Sequence, residues 1–328
     1  MRLFRPYGIL WLSALLISIL FAPQAAGATQ LPASGTSAPS VPKTSTGPLA
    51  TPSTFATLGR PVGVAATATR LLVTQAQRST VKAIDSTGAV SLFATLPTTE
   101  RSIEPYIAVS SGLGGFPLGK VYVVVRQRIW QISANGSNAK VFKKIPGLSA
   151  GNNGITFDTV GTFGFNMIIT DRRGPVWTVT SSRLATQIVD VMEQIEGPVV
   201  APTTFGNFGG QLLVASEFVG QVLAISPTDF SISTVGSWES AEGVDLVPPA
   251  VCEFGASGGA YFVAMEDENR IVKFPATDFT GFEGFALAPS ELATSIGMSD
   301  GLSDFTTFSD PIGTPDLEGS DFFPCPAG

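Results

Sequence analysis

The sequence predicts an all-β fold, a β-propeller of four-stranded blades in which six blades are favoured. A unit with the same strand order recurs along the chain, and its openings at residues 63, 105, 154, 197 and 243 are separated by 42, 49, 43 and 46 residues. A period of 40 to 50 residues with four strands is typical of a propeller blade. In addition, the segment "STFAT" at 53–57 nearly repeats "SLFAT" at 91–95.

The first 28 residues are predicted to be a signal peptide. Arg2 and Arg5 precede an apolar run over residues 8–22, and Ala26-Gly27-Ala28 supplies the small residues of a cleavage site. The run is shorter than the roughly 20 residues that cross a bilayer. We therefore expect a secreted protein, extracellular or periplasmic, without a stable membrane span.

Residues 29–52 are predicted to form a flexible linker, because Pro, Ser, Thr, Ala and Gly dominate and too little apolar surface is available to offset the entropy of ordering. The propeller domain is predicted to span residues 53–328. Its Gly-rich turns precede apolar strands rich in β-branched and aromatic residues, as in "FGNFGGQLLVA" at 205–215 and "FGASGGAYFVA" at 254–264.

Closure of the ring accounts for the near-repeat. If "SLFAT" is the outer strand of blade one, "STFAT" is expected to be the outer strand of the last blade, which the N-terminus then completes, so that no sheet edge stays open. The units opening at 197 and 243 are predicted to be blades four and five. Residues 295–325 are predicted to form a degenerate sixth blade opened by Asp300-Gly301; a five-bladed ring is the alternative.

The two cysteines, Cys252 and Cys325, are expected to form a disulfide that ties the C-terminal tail to the fold. A nucleophilic or metal-binding thiol is the alternative, but the chain contains no histidine to support it. The lack of histidine also argues against the many hydrolases and dehydrogenases that use it as a base or ligand. No nucleotide, haem or quinone cofactor is expected.

The stretch from Gly59 to Pro97 resembles an NHL repeat, and residues 53–310 are similar in pattern to six-bladed propellers of the gluconolactonase and senescence-marker type. This resemblance implies a divalent ion, usually calcium, at the mouth of the central channel, held by residues that precede the innermost strands. Val62 occupies this position in the first blade. The corresponding oxygen-bearing residues are Glu104, Asn153, Glu196, Glu242 and Asp300.

Two functions follow as hypotheses. The first is a secreted, non-catalytic propeller, expected to be a monomer, that binds a small molecule, a glycan or an extracellular protein through its loops. The alternative is a calcium-dependent lactonase or esterase in which Asp300 is also the catalytic base. The order of the motifs departs from that of the relatives, and the same residue types also suit ordinary turns before strands. The net charge of −7 argues against a nucleic-acid partner.

Overall fold

The structure is a computed structural model, and it describes residues 49–309 and 311–325. The predicted signal peptide, residues 1–28, and residues 29–48 of the predicted linker lie outside the described residues. Ala50, which lies within the predicted linker, is buried and pairs with Ser309. Among the described residues, no helix has the length and apolarity needed to cross a bilayer.

The regular secondary structure of the described residues is almost entirely β-strand. Five strands lie before residue 96: β1 Ser53–Thr57, β2 Pro61–Thr67, β3 Arg70–Gln75, β4 Thr80–Ile84 and β5 Val90–Thr95. Eight more lie before residue 191: β6 Ile107–Val109, β7 Val121–Val125, β8 Arg128–Ile132, β9 Lys140–Lys144, β10 Ile155–Phe157, β11 Met167–Thr170, β12 Pro175–Val179 and β13 Ala185–Asp190.

The second half continues in the same way, with short 3-10 turns at Gly206–Phe208, Gly255–Ser257 and Ala276–Phe279. Its strands are β14 Glu196–Val200, β15 Leu212–Ser216, β16 Gln221–Ile225, β17 Ile232–Ser237, β18 Asp245–Leu246, β19 Tyr261–Met265, β20 Arg270–Phe274, β21 Ala286–Pro289, β22 Ile296–Ser299, β23 Thr306–Thr307 and β24 Leu317–Phe322.

These strands form six four-stranded antiparallel sheets, which confirms the six-bladed propeller. From the innermost strand outward, blades one to four are β2 to β5, β6 to β9, β10 to β13 and β14 to β17. Blade five is β18, β21, β22 and β23, and blade six is β24, β19, β20 and β1. The innermost strands surround the axis.

The N-terminal strand closes the ring as predicted. β1 pairs with β20, with Ser53 opposite Lys273 and Thr57 opposite Arg270. The near-copy β5 is the outer strand of blade one, where it pairs with β4. The seam of the ring is therefore closed inside blade six, which takes its outer strand from the beginning of the chain and its innermost strand from the end.

The predicted composition of the last two blades was wrong. The strands β19 and β20, predicted for blade five, belong to blade six, while β22 and β23 lie in blade five rather than in a degenerate sixth blade. After the short β18 the chain builds the middle of blade six, returns to complete blade five, and then forms β24. Both blades offer equivalent open edges, so local composition does not reveal which edge a strand joins.

Six apolar clusters lie between neighbouring blades and hold the ring together. Leu72 of blade one packs in one cluster with Trp130 of blade two, and Leu71 packs in another with Phe262 of blade six. Fully burying such a side chain contributes roughly 1.5–3 kcal/mol. Cys252 and Cys325 form the expected disulfide, which joins the segment before β19 to the segment after β24.

Candidate functional site

The innermost strands all begin on one face of the ring, and we call this the cluster face. Their starts lie side by side: Pro105 pairs in parallel with Asn153, and a Cβ added at Gly197 would lie 2.2 Å from the Cα of Gly243. Only glycine permits so close an approach of two backbones. The residue before each of these positions is consequently brought to the mouth of the axis.

Four glutamates meet there with a tyrosine, and we call these five residues the axial cluster: Glu104, Tyr106, Glu196, Glu242 and Glu318. Each glutamate comes from a different blade. Carboxylate oxygens of Glu104, Glu242 and Glu318 lie within 4.8 Å of one another. Glu196, Glu242 and Glu318 are at most 4% exposed. The ring thus gathers several buried acids at one point.

Tyr106 forms the floor of the axial cluster. Its hydroxyl donates a hydrogen bond of 2.5 Å to Glu242 Oε1. The same hydroxyl oxygen lies 3.4 Å from Glu196 Oε2 and 3.3 Å from Glu318 Oε2. One hydroxyl proton cannot satisfy three carboxyl groups at once, so the cluster needs additional protons or a cation.

Amide side chains hold Glu196 in place. Its Oε1 accepts hydrogen bonds from Gln194 Nε2 at 2.9 Å and from Asn152 Nδ2 at 3.3 Å. The other end of Asn152, Oδ1, is buried and has no hydrogen-bond partner among the described residues. Gln194 Nε2 also donates to Glu217, and oxygens of Glu196, Glu217 and Glu242 lie within 4.8 Å of one another. The Asn152 Oδ1 atom, which accepts no hydrogen bond from the described residues, is a potential ligand atom for a cation.

A second acidic group adjoins the axial cluster through Glu318. Oxygens of Glu266, Asp316 and Glu318 lie within 4.8 Å of one another. Glu266 directly follows β19 and pairs with Arg60, which neutralises part of this group. The acidic surface therefore extends from the axis to the rim of blade six.

Burial and mutual repulsion keep protons on these acids. Burial, with the charges of Glu196, Glu266 and Glu291 next, raises the pKa of Glu104 to about 9. The pKa values of Glu242 and Glu318 are also raised well above their ordinary value, first by burial and then by neighbouring carboxylates. A bound cation would remove the repulsion and let these groups ionise.

The structure brings three of the predicted ligands into the axial cluster: Glu104, Glu196 and Glu242. The side chain of Asn153 is used differently, because its Nδ2 donates to the carbonyl of Gly151 at 2.7 Å and its Oδ1 accepts from Ser149 Oγ. Its neighbour Asn152 reaches Glu196 instead.

The prediction for Asp300 was wrong. β22 runs parallel to the innermost β18, so Asp300, which follows β22, lies on the opposite face of the ring from the axial cluster. Its Oδ1 accepts hydrogen bonds from the backbone N–H groups of Leu302 and Ser303 at 2.9 and 3.0 Å. Asp300 is therefore a turn residue of blade five, where it is too far from the cluster to be a ligand or base there.

Glu318 takes the sixth position, although it was not among the residues predicted from the sequence. The signal was present, because Glu318-Gly319 repeats the Glu-Gly pairs at 196–197 and 242–243. Glu318-Gly319 was overlooked because the opening of the sixth blade had been placed at Asp300-Gly301. Tyr106 was also missed, since a tyrosine next to an apolar strand is ordinarily a core residue.

Comparisons with known proteins show the fold. No protein-family model matches the chain, and no curated protein matches it significantly. Among solved structures, a chain of a nidogen–laminin complex has a TM-score of 0.53 at 14% identity, covering 79% of this chain and 83% of that chain. Virginiamycin B lyase from Staphylococcus aureus has a TM-score of 0.48 at 13% identity, covering 77% and 71%. At this low identity the likeness to the nidogen–laminin chain shows the fold and does not decide the function.

Proposed function

We propose that this chain is a secreted, non-catalytic β-propeller that binds its ligand on the cluster face, where the axial cluster holds a calcium ion. The observation that carries the proposal is the convergence of Glu104, Glu242 and Glu318 from three blades. Buried acids so close together repel one another when ionised, and a divalent cation is the partner that compensates several of them at once.

The donor set fits calcium. Calcium takes six to eight oxygen ligands at roughly 2.3–2.6 Å, so two ligands of one ion are at most about 5 Å apart. The three carboxylate oxygens satisfy that limit, being within 4.8 Å of one another. Glu196 and the unpartnered Oδ1 of Asn152 would add a carboxylate and an amide oxygen. When bound, the ion would supply the positive charge that lets these carboxyl groups ionise.

Binding is favoured over hydrolysis because of the position of Asp300. In the alternative function, a calcium-dependent lactonase or esterase, Asp300 is the base. A carboxylate on the opposite face cannot take a proton from a group bound at the axial cluster, since general bases act within hydrogen-bond reach. We expect no turnover of simple lactones by the calcium-loaded protein.

The loops around the cluster supply the surface for a ligand. Phe218, which follows β15, is 77% exposed, and Leu292, which follows β21, is 60% exposed, and both line the same groove with Glu217. Exposed large apolar side chains beside a charged site favour an extracellular protein as partner over a glycan or a small molecule. The nidogen–laminin structure is an example of this fold in a protein complex.

Secretion is part of the proposal. It is supported by the signal peptide predicted for residues 1–28 and by the Cys252–Cys325 disulfide, because disulfides persist mainly in oxidising compartments.

The test compares two substitutions that each replace a carboxylate by an amide. Calcium at about a hundredfold excess over its dissociation constant should stabilise the wild-type protein by about 2.7 kcal/mol. Glu318→Gln should reduce calcium affinity at least about tenfold, measured by calorimetry and by the calcium-induced melting shift. Asp300→Asn, the matched control on the opposite face, should leave the affinity unchanged. Absence of any calcium shift in the wild type, or loss of the shift in Asp300→Asn, would contradict the proposal.

A further inference from the structure

A cavity of about 230 Å³ lies along the axis behind Tyr106. Its lining begins at Tyr106 and Glu242 and continues along the innermost strands to Val109 and Thr159. Because these strands run away from the cluster face, the cavity extends toward the opposite face of the ring. We call it the channel cavity. It is smaller than the roughly 300–1,000 Å³ of pockets for drug-sized ligands, so it suits a small molecule.

The channel cavity combines apolar walls with acidic groups. Ala66, Ala108, Ile155 and Val199 contribute apolar surface, while Asp245 and Asp321 contribute carboxyl groups. Among the described residues that line it, none is lysine or arginine. Burial raises the pKa of Asp245 to about 6, and burial with the Asp245 charge raises that of Asp321 to about 7. Both groups therefore carry negative charge at mildly alkaline pH.

The two aspartates differ in which of their carboxylate oxygens already accept hydrogen bonds within the protein. Asp321 is used at the seam, where Oδ2 accepts the backbone N–H of Ala66 at 2.7 Å and Oδ1 accepts that of Phe322 at 2.8 Å. Asp245 Oδ2 accepts hydrogen bonds from Ser320 Oγ and from the Tyr261 hydroxyl, the latter at 2.8 Å. Asp245 Oδ1 receives none of the hydrogen bonds found among the described residues. An ionised carboxylate can accept about four, so Asp245 retains capacity for a further donor.

We propose that the channel cavity binds a small organic cation, a protonated amine on a short apolar body, with its ammonium group at Asp245 and its body against the alanine and valine side chains. Asp245 is half-buried, and a negative charge that has lost part of its hydration is stabilised by a paired cation. An amine provides that partner together with hydrogen-bond donors, and its apolar part gains from leaving water. The site lies beyond Tyr106 from the axial cluster and does not depend on calcium.

The experiment uses calorimetry on the protein saturated with calcium, at mildly alkaline pH, with three probes of similar shape: n-butylammonium, 1-butanol and butyrate. We expect n-butylammonium to bind with a stoichiometry of one, at least about tenfold more tightly than 1-butanol, and butyrate not to bind. Ala108→Phe should abolish this binding by filling the cavity. Ala134→Phe, which adds the same side chain to an exposed turn, should leave it intact.

A second variant keeps the test decisive if Ala108→Phe does not fold. Asp245→Asn retains an oxygen that accepts from Tyr261 and Ser320 but removes the charge, so it should weaken n-butylammonium binding at least about tenfold and leave 1-butanol unaffected. Equal binding of n-butylammonium and butyrate, no binding of n-butylammonium, or tighter binding of n-butylammonium after calcium is removed with a chelator would overturn the proposal. Loss of calcium binding in Glu318→Gln with unchanged amine binding would show that the two sites are separate.

Discussion

Tyr106 is the residue whose surroundings are least expected from its place in the sequence. It lies just before β6, among apolar residues, yet its hydroxyl meets carboxyl groups from three other blades. Burial, followed by the charges of Glu242, Glu318 and Glu196, raises its pKa well above the ordinary value. The hydroxyl therefore stays protonated. When no cation is bound, it stabilises the buried carboxyl groups by donating a hydrogen bond.

Replacing Tyr106 with phenylalanine should destabilise the metal-free protein. The change leaves buried carboxyl groups without their shared donor, and an unsatisfied buried polar group costs about 1–3 kcal/mol. Urea unfolding in the presence of a chelator measures the effect. Added calcium should restore part of the lost stability.

Tyr122→Phe is the matched control for this prediction. Tyr122 is likewise buried, and its hydroxyl accepts a hydrogen bond from Gln131 Nε2 at 2.7 Å, away from the axial cluster. Its replacement should cost a similar amount, but calcium should not reduce that cost. A Tyr106→Phe protein as stable as wild type in chelator would show that the hydroxyl does not stabilise the buried carboxyl groups.

At the scale of the element, the two copies of "FAT" have the same structural role. Phe55 in β1 and Phe93 in β5 each stand at a bulge in the outer strand of a blade. The carbonyl of Phe55 lies against Gly88 of blade one, and that of Phe93 lies against Gly136 of blade two, where an added Cβ would come within 2.5 Å and 2.1 Å. The repeated sequence therefore reflects a repeated contact with the turn of the next blade.

Removal of β1 should open the ring. A chain that starts at residue 59 loses the pairing with β20 and the contacts of Phe55 with the rings of Phe262 and Phe254, at 4.9 and 6.1 Å. The exposed edge of β20 is then free to pair with other molecules. We expect a lower melting temperature and concentration-dependent aggregation, measured by calorimetry and light scattering.

A chain that starts at residue 49 is the control for this truncation, because it keeps β1 and the bridge between Ala50 and Ser309. It should melt like the protein that retains the predicted linker. Equal stability of the two truncated chains would mean that the closing strand contributes nothing to the ring.

For the whole molecule, the acids gathered on the cluster face make stability depend on pH. The folded-state pKa of Glu291 is raised to about 7, by burial and by Glu217, and that of Glu104 to about 9. Raised values mean that the folded state binds more protons than the unfolded state. Their stabilisation is complete below the ordinary pKa of about 4.5 and is lost as pH rises through the folded values.

The free energy of unfolding of the metal-free protein should therefore decrease as pH rises from about 5 to about 9. Asp245 and Asp321 act in the same direction, through pKa values of about 6 and about 7. Urea unfolding in chelator at several pH values measures the slope. Glu291→Gln should flatten it below about pH 7, and calcium should restore stability at high pH. A metal-free protein that becomes more stable over this range would refute the prediction.

Much of the fold could be predicted because its signals are local. Gly-rich turns followed by apolar strands specify blades, and the copied outer strand identifies the closing segment. The exchange of strands between blades five and six could not be predicted, because β18 has only two residues and β19 and β22 are equally suited to either sheet.

The candidate site was predictable only where its residues precede a recognisable blade opening, as Glu104, Glu196 and Glu242 do. Glu318 was hidden by the exchange of strands. The choice between Asn152 and Asn153 depends on which side chain faces the axis, and adjacent residues in extended backbone point in opposite directions.

Three features could be inferred from the amino-acid order alone: short strands recur in units, the units close into a ring, and the beginning of the chain supplies a strand to the last unit. These features follow from turn chemistry and strand composition, which act over a few residues. Which acids lie close together became clear only from the arrangement of the blades in space. Convergence on an axis depends on the order and direction of strands from all six blades, and hydrogen-bonded sheet edges accept any strand of suitable length.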